Sequence, residues 1–521
     1  MREQVNFNLE KNIIVIIFAM YTLSFGLLLF NNGVFFDDWV FYGVDTTITR
    51  EAMGQLGHMW VGYLYASFKD NVFLYRSMTF ACYLISALFL NSILKTIREI
   101  DITSRMFIVL FFTLFPVNSA RIAICHIHYA VSYVMFFCGI WIVSKYLVIK
   151  NILLRIFSLL VFFVSFAMYS LLVFYITVPL YILYMEKQNI KSISGFVMKI
   201  LEYKDFLILP ILFWVIKQIY FVPYGVYKDV YIITSIMNIR NLILTFRTSF
   251  LEILSKSAQS ITPLELPVLV IVFFIISIIL KRNTIDKTKS KTFSCLFLLG
   301  LFFFLTAVYA YLSTNRIPKM GDMDSRHQIL IPPGASIILI SSLGIFFNIL
   351  RINIKGRIFI YSILVVMFSK LNILSYLDFQ KDWYKQCSLI ENFKTNSVIR
   401  NNTTFLFKDN TYGLNANMRY YRFYEYSGLM KLAFGEETRY GADTEINPYH
   451  YRCFNTRYSL RDYKPKKTEY KILIDFRTDR GLLSVIDNKK VLELMFYEYF
   501  KPEKFKTEVK KLIELKTEKI T

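Results

Sequence analysis

Two adjacent aspartates, Asp37 and Asp38, follow the first long apolar run of the chain, Asn12 to Phe30. Ionised carboxylates beside hydrocarbon are costly, and they tend to line a pathway or a reaction centre. A carboxylate in this position can take a proton from a hydroxyl group near a lipid-borne substrate, which is general-base chemistry. The alternative is a solvated loop that tolerates the acids, because charged loops are common at helix ends. The pair is therefore the first candidate catalytic site.

Basic residues stand beside later apolar runs. Arg121, His126 and His128 lie between the third and fourth runs, and Arg326 and His327 precede the tenth. Arginine offers a planar fork of donors that matches a phosphate, while histidine adds hydrogen bonds or a titratable charge. These five residues are candidates for phosphate binding. The two neighbouring histidines resemble half a metal site, but no third ligand follows at helical spacing, so we expect no metal and no other cofactor.

Composition indicates a membrane protein. The chain has 521 residues, of which 55% are hydrophobic and 19% charged, and its mean hydropathy is +0.43. This is too apolar for an ordinary soluble protein. No cleavage site follows the first apolar run, so we interpret it as a retained transmembrane helix. No Walker loop or dinucleotide fingerprint is present, which argues against an ATP-driven transporter.

Apolar runs long enough to cross a bilayer, or nearly so, recur along the chain and predict about eleven transmembrane helices. The third run is short, and the fifth and sixth are separated only by Tyr169. The runs are Asn12 to Phe30, Val72 to Leu94, Met106 to Asn118, Tyr129 to Val148, Ile152 to Met168, Ser170 to Met185, Phe206 to Val222, Pro263 to Leu280, Phe293 to Leu312, Ile331 to Leu350 and Ile358 to Tyr376.

Lysine and arginine placement predicts the orientation. Alternate loops are basic, and by the positive-inside rule they lie in the cytoplasm, which puts the Asp37-Asp38 loop outside. The net charge of +22 is then largely a signal of topology. No basic surface with interleaved aromatic residues accompanies it, so we expect no nucleic-acid partner.

The first outward loop also predicts a helix on the membrane surface. Asp45 is a suitable N-cap residue, and apolar residues follow it at helical spacing, as expected for an interfacial helix. These residues are Ile48, Ala52, Leu56, Met59, Trp60 and Tyr63. Such a helix can form one wall of a site, or it can serve as a plain anchor.

From Leu377 onward the spans stop and charged residues become frequent. Thr404 to Phe407 and Tyr470 to Phe476 are typical of strands, and a charged helix is predicted near Glu503 to Lys516. We therefore divide the chain into a transmembrane module, residues 1–376, and a soluble α/β domain, residues 377–521, on the same side as the acidic loop. Cys387 and Cys453 could pair there in an oxidising compartment, or both could remain thiols.

This layout resembles a known superfamily. Many helices after a short cytoplasmic stretch, the acidic motif Phe35-Phe36-Asp37-Asp38-Trp39 in the first outward loop, a surface helix and a soluble tail are similar to the GT-C membrane glycosyltransferases. Within them, the lysine- and phenylalanine-rich sequence is most similar to the bacterial serotype-converting O-antigen glucosyltransferases of the inner membrane. The specific motif is the acidic loop alone.

The resemblance implies an inverting transfer of a sugar, first of all glucose, from an undecaprenyl-phosphate-linked donor to a periplasmic glycan acceptor such as the O-antigen of lipopolysaccharide. It implies a general base in the acidic loop. We favour Asp37, with Asp38 orienting it or binding the acceptor, and the two aspartates could exchange these roles. The five basic residues named above would then bind the donor phosphate. Tyr169-Ser170 departs from the Tyr-Glu pair often found in relatives, which leaves a role for that glutamate in doubt.

Two other functions fit a polytopic protein of this kind. An O-antigen polymerase also uses lipid-linked substrates and outward arginines, but an early acidic pair is not typical of it. A flippase or transporter would carry charges within its spans, and the spans contain few, mainly Lys217 and Lys370. Glycosyl transfer is the function that the sequence favours.

Overall fold

The computed structural model of the chain describes residues 2–190, 192–228, 238–280, 290–444, 460–477 and 487–520. The chain forms two compact units. The first comprises Met1–Gly26, Ser77–Arg121 and His126–Ile373, and the second comprises Leu27–Arg76, Ile122–Cys125 and Leu374–Thr521. The loop with the two aspartates therefore belongs to the same unit as the C-terminal part of the chain.

The first unit is helical. Two long helices, Val72–Leu94 and Ile354–Thr395, contribute residues to both units. The other helices of the first unit are Arg2–Phe25, Ile102–Leu114, Ile127–Ile149, Ile152–Ser165, Ser170–Phe174, Thr177–Met185, Ile193–Glu202, Lys204–Tyr220, Ile239–Phe246, Glu252–Gln259, Leu266–Leu280, Ser290–Leu312 and Ile331–Ile349.

Six helical segments among the described residues are long and apolar enough to cross a membrane, which agrees with the predicted membrane class. They are Glu10–Phe30, Val72–Leu94, Ile124–Ile149, Lys291–Leu312, Ile331–Ile349 and Ile354–Thr395. The other predicted runs overlap shorter helices, and the run Ser170 to Met185 consists of two consecutive helices. A count of about eleven spans, which rests on the expected span length, stays a prediction.

The short helix Ile102–Leu114 lies in the interior of the first unit. Its residues from Ser104 to Leu114 are all buried, and at about 1.5 Å per residue it is much shorter than the roughly 30 Å hydrocarbon core of a bilayer. Phe107 packs on Tyr361 with ring centroids 4.7 Å apart. The Asn372 side chain donates to the Leu114 carbonyl at 2.7 Å and caps the C-terminus of the helix. This helix is therefore stabilised mainly by contacts with the rest of the protein and less by contacts with lipid.

The helices Ser290–Leu312 and Ile331–Ile349 pack together closely. A β-carbon on Gly334 would lie 2.5 Å from the backbone nitrogen of Phe304, so only glycine permits this approach. Small residues at helix contacts of this kind allow tight packing in membranes. This close packing fixes the two ends of the loop that connects the helices. The loop carries Arg326 and His327.

The second unit contains a four-stranded sheet. Its strands are β1 (Thr404–Asp409), β2 (Tyr440–Ala442), β3 (Tyr470–Phe476) and β4 (Ile513–Lys519). The order is β2-β1-β3-β4, with β1 parallel to β2 and β3, and β4 antiparallel to β3. Other helices of this unit are Thr46–Gln55, Gly62–Phe68, Ser397–Asn401, Phe423–Phe434, Asn488–Phe500 and Pro502–Lys510.

The sheet confirms the predicted α/β character of the C-terminal region. Phe405 and Phe407 of β1 and Ile472 and Ile474 of β3 are buried, which matches the alternation of side chains along a strand. The exposed edge strand β4 carries alternating glutamate and lysine residues, and such charges discourage pairing with another chain. Cys387 is a free thiol, and Cys453 lies outside the described residues.

Three sequence predictions about element bounds are wrong. The charged helix predicted over Glu503 to Lys516 ends at Lys510, because the chain turns back to form β4. The predicted surface helix is interrupted after Gln55, since Gly57 takes a φ of +80° that ends it. Asp45 is its N-cap, as predicted, and accepts from the Thr47 N–H at 2.8 Å. The last helix continues past Tyr376 to Thr395.

Candidate functional site

The acidic motif forms a short, closed loop. Residues Phe36–Val40 make a 3₁₀ helix, and the backbone N–H of Asp38 donates to the Phe35 carbonyl at 3.0 Å. In return, the Phe35 N–H donates to Oδ2 of Asp38 at 3.1 Å. The bond from the Phe35 N–H to the Asp38 carboxylate is the acidic half of a capping box, in which a side chain satisfies a backbone N–H at a helix start. The motif thus folds on itself around the Asp38 side chain.

Asp38 also joins this loop to a distant segment. Its Oδ1 accepts from the backbone N–H of Cys125 at 2.8 Å, and the N–H of Ile124 is a further donor. The side chain is completely buried. Buried carboxylates of this kind are stabilised by hydrogen bonds from backbone N–H groups. Asp38 therefore anchors the loop to the segment that contains Ile124 and Cys125.

Burial raises the pKa of Asp38 to about 6, against the lowering effects of its backbone donors and of the Arg76 charge. Asp38 is still ionised at neutral pH. Because its pKa is higher in the folded chain than in an unfolded one, the folded state binds the proton more tightly. The contribution of Asp38 to stability therefore falls as the pH rises through the interval from about 4 to 6.

This shift predicts a pH-dependent difference between the protein and the variant Asp38→Asn. About 1.4 kcal/mol for each pKa unit gives a loss of about 3 kcal/mol across the interval. The neutral asparagine does not titrate, so the free energy of unfolding of the native protein should exceed that of the variant by more at pH 4 than at pH 6.5. Unfolding in mixed micelles measures both. Equal differences at the two pH values would contradict the assignment of Asp38 as the titrating group.

Asp37 differs from its neighbour in exposure. It is only partly buried, and consecutive residues of a 3₁₀ helix point about 120° apart, so its carboxylate is directed away from that of Asp38. Phe36 before it has a φ of +54°. A bulky residue in this left-handed region costs of order 1–3 kcal/mol, and such strain clusters at functional sites. The positive φ of Phe36 therefore costs stability, and it fixes the direction of the backbone directly before Asp37.

Arg76 fixes the start of the loop. Its guanidinium donates to the carbonyl of Gly33 at 2.6 Å, to the side chain of Asn31 at 3.1 Å and to the carbonyl of Ile122 at 3.2 Å. Arg76 is 1% exposed. The sequence reasoning did not use this residue, although an arginine inside the predicted span Val72 to Leu94 is a signal of function or of structural necessity.

The predicted phosphate-binding residues lie in the first unit, and three of them are electrostatic neighbours. Arg326 and His327 are both close enough to His126 to act on its charge. The loops that carry them are joined by Ser325, whose hydroxyl accepts from the Ala120 N–H at 2.9 Å. His126 is held through Nδ1, which lies 2.7 Å from the Ala120 carbonyl. The structure thus brings part of the predicted set together.

Two ring nitrogens of this group have no hydrogen-bond partner among the described residues, Nε2 of His126 and Nδ1 of His327. Both residues are buried. Burial, followed by the charges of Arg326 and Arg316, lowers the pKa of His327 to about 3, so this ring is neutral. Buried polar atoms are normally paired, and unpaired ones call for an explanation such as an absent ligand.

Arg121 lies in the same unit between two aromatic rings. Its guanidinium is 4.5 Å from the centre of the Phe25 ring and 4.4 Å from that of Tyr83, and its Nε donates to the Asn118 carbonyl at 2.9 Å. The residue is buried. His128 is buried as well, with its ring 4.0 Å from that of Tyr129. Both residues are fixed in place by aromatic neighbours.

Sequence comparison assigns no family. No family model matches the chain, and no curated protein matches it. Within the described residues, no group of three or more histidine, cysteine, aspartate or glutamate side chains is arranged to hold a metal ion. The function must therefore be argued from the acidic loop and the basic group.

Proposed function

We propose that this chain is an inverting membrane glycosyltransferase of the GT-C type. It moves a sugar, with glucose as the first candidate, from an undecaprenyl-phosphate-linked donor to a periplasmic glycan acceptor such as the O-antigen. The observation that carries this proposal is the acidic loop, in which buried Asp38 is bonded to backbone donors of two segments and partly exposed Asp37 stands beside it.

The finer architecture belongs to the same proposal. About eleven spans, a GT-C arrangement of them, a bacterial inner-membrane location and an outward-facing acidic loop follow from the sequence pattern and the positive-inside rule. Six helices of spanning length and a C-terminal sheet are consistent with this arrangement.

Asp37 is assigned as the general base. In a single displacement, an acceptor hydroxyl attacks the anomeric carbon of the donor, its proton passes to the Asp37 carboxylate, and the bond to the lipid phosphate breaks. The anomeric configuration inverts, and the leaving group is undecaprenyl phosphate. A positioned carboxylate contributes about 10²–10⁴-fold to such a proton transfer. Asp38 serves the reaction by holding the loop, since its oxygens are occupied by backbone donors.

The donor phosphate is assigned to the basic group of the first unit. Arg326 supplies a permanent charge and His327 a neutral ring nitrogen, while Nε2 of His126 accepts from a hydroxyl when neutral or donates to a phosphate oxygen when protonated. Fixed donors aimed at a developing phosphate charge lower the barrier to its departure. Arg121 and His128 are assigned supporting roles in the same group.

Replacing Arg326 by glutamine should weaken donor binding. A charged hydrogen bond contributes about 1.5–3 kcal/mol, which corresponds to a rise of roughly 10- to 100-fold in KM for the donor. Initial rates at varied undecaprenyl-phosphate glucose in membranes measure this effect. Lys319→Gln is a matched control, because Lys319 is an exposed cation of the same loop. Equal KM values for both variants would remove Arg326 from the donor site.

The reaction itself is tested by transfer of labelled glucose from undecaprenyl-phosphate glucose to O-antigen in membranes that contain the protein. Label in the glycan that depends on the protein supports the proposal. A donor that stays intact while acceptor chains lengthen would indicate a polymerase.

A further inference from the structure

The start of the acidic loop is held by residues from the C-terminal part of the chain. Gln386, on the helix Ile354–Thr395, accepts from the Val34 N–H at 3.1 Å and donates to the Val34 carbonyl at 3.0 Å. Gln386 is 1% exposed. Val34 has no strand or helix partner for these groups, so the glutamine side chain replaces the hydrogen bonds that secondary structure would supply.

Behind Gln386 lies a buried network of charges. Oδ1 of Asp382 accepts from Gln386 at 3.3 Å and from the Tyr421 hydroxyl, while its Oδ2 accepts from Arg419 at 3.1 Å. Arg419 in turn donates to Glu425 at 2.6 Å. All of these side chains are buried. Removing one partner from a buried network of this kind leaves an uncompensated charge, so each member restricts the positions of the others.

The same network reaches the strained residue of the loop. The guanidinium of Arg419 lies over the ring of Phe36, with its central carbon 4.8 Å from the ring centre. A cation over an aromatic face contributes about 0.5–2 kcal/mol. This contact fixes the side chain of the residue that precedes Asp37, and it offsets part of the cost of the positive φ at Phe36.

A third contact comes from the helix Asn488–Phe500. Glu498 is bonded to the side chain of Asn32 and accepts from Trp383 at 3.2 Å and from Tyr384 at 3.1 Å. On the same helix, the Tyr499 hydroxyl donates to the Phe30 carbonyl at 3.2 Å. The residues that lead to Asp37 are therefore held at several points by side chains that lie far away in the sequence.

We propose that the C-terminal part of the chain positions the base, with Gln386 and Arg419 as the main positioning residues for Asp37. This inference rests on the proposed glycosyl transfer for its catalytic consequence, but the order that it assigns to the loop can be measured without any activity. A displacement of about 1 Å at a reacting group can cost about 100-fold in rate. Loss of these contacts should therefore lower kcat and leave donor binding nearly unchanged.

The test compares Gln386→Leu with Gln380→Leu in the full-length protein. Gln380 is a buried glutamine of the same helix whose side-chain nitrogen and oxygen have no hydrogen-bond partner among the described residues, so the two substitutions change the same side chain and only one of them removes bonds to the loop. Gln386→Leu should lower kcat by about 10- to 100-fold with the donor KM within about twofold. It should also speed amide hydrogen exchange over residues 31–38. Gln380→Leu should change neither quantity at this loop.

Asn32→Ala provides a milder variant that removes only the bond to Glu498, so it keeps the test valid if Gln386→Leu does not fold. It should give faster exchange over the same residues and a smaller fall in kcat. Unchanged exchange in both loop variants, or a kcat loss shared equally by Gln380→Leu, would overturn the positioning role. If the native protein transfers no sugar, the proposed reaction fails, and the exchange comparison alone decides whether these residues order the loop.

Discussion

Asp37→Asn should abolish sugar transfer while the protein remains folded. Asparagine keeps the shape of the side chain but cannot accept the hydroxyl proton, so we expect kcat to fall by about 10²–10⁴-fold. Asp37 is partly exposed, and Asp38 makes the buried backbone bonds of the loop. Asparagine has nearly the volume of aspartate and still accepts hydrogen bonds through its amide oxygen, so the variant should be present in the membrane at the native level. Transfer rates and protein levels in the same membranes measure both.

Glu51→Gln is the matched control for this variant. Glu51 is an exposed acid of the helix Thr46–Gln55 in the same unit, so its loss removes the same charge without the proposed base. Transfer should continue at nearly the native rate in Glu51→Gln. An Asp37→Asn protein that is present at normal levels and transfers sugar at the native rate would exclude Asp37 as the base.

Arg76→Leu should produce the largest loss of stability. The substitution leaves the buried carbonyls of Gly33 and Ile122 without their donor, while the side-chain oxygen of Asn31 loses Arg76 but keeps the Gly33 N–H. Each unsatisfied buried group costs about 1–3 kcal/mol, so the free energy of unfolding should fall by at least about 2 kcal/mol. Titration with denaturing detergent in mixed micelles measures this difference.

Lys95→Leu serves as the control for Arg76→Leu. Lys95 follows the same helix, is exposed and lies 3.4 Å from Glu10, and an exposed pair of this kind contributes at most about 1 kcal/mol. If Arg76→Leu unfolds at the same detergent fraction as Lys95→Leu, the three hydrogen bonds of Arg76 do not hold the loop.

Local features of this chain were predictable from its sequence. Helical structure is found at the apolar runs, strand β3 has the predicted bounds Tyr470–Phe476, and Asp45 is the predicted N-cap. Each depends on periodicity or on a turn residue within a few positions. The choice of the Asp37-Asp38 pair as a candidate site also followed from its position directly after an apolar run.

The distinct environments of the two aspartates could not be predicted in the same way. Asp38 is buried because the backbone of Cys125 approaches it, and no pattern near Asp38 encodes that contact. Gln386 is 352 residues from its partner Val34, and a glutamine within a helix gives no indication of where it binds. The helix end at Lys510 likewise depends on the pairing of β4 with β3. Contacts between residues far apart in the sequence determine these three features.

The most direct test of the account is the fate of both halves of a doubly labelled donor. Purified protein in proteoliposomes would receive undecaprenyl-phosphate glucose, labelled differently in the sugar and the lipid, together with lipopolysaccharide as the acceptor. We predict one undecaprenyl phosphate released for each glucose that appears in the glycan, with inverted anomeric configuration and with no product from Asp37→Asn. Intact donor after incubation with active, folded protein would contradict glycosyl transfer from this lipid.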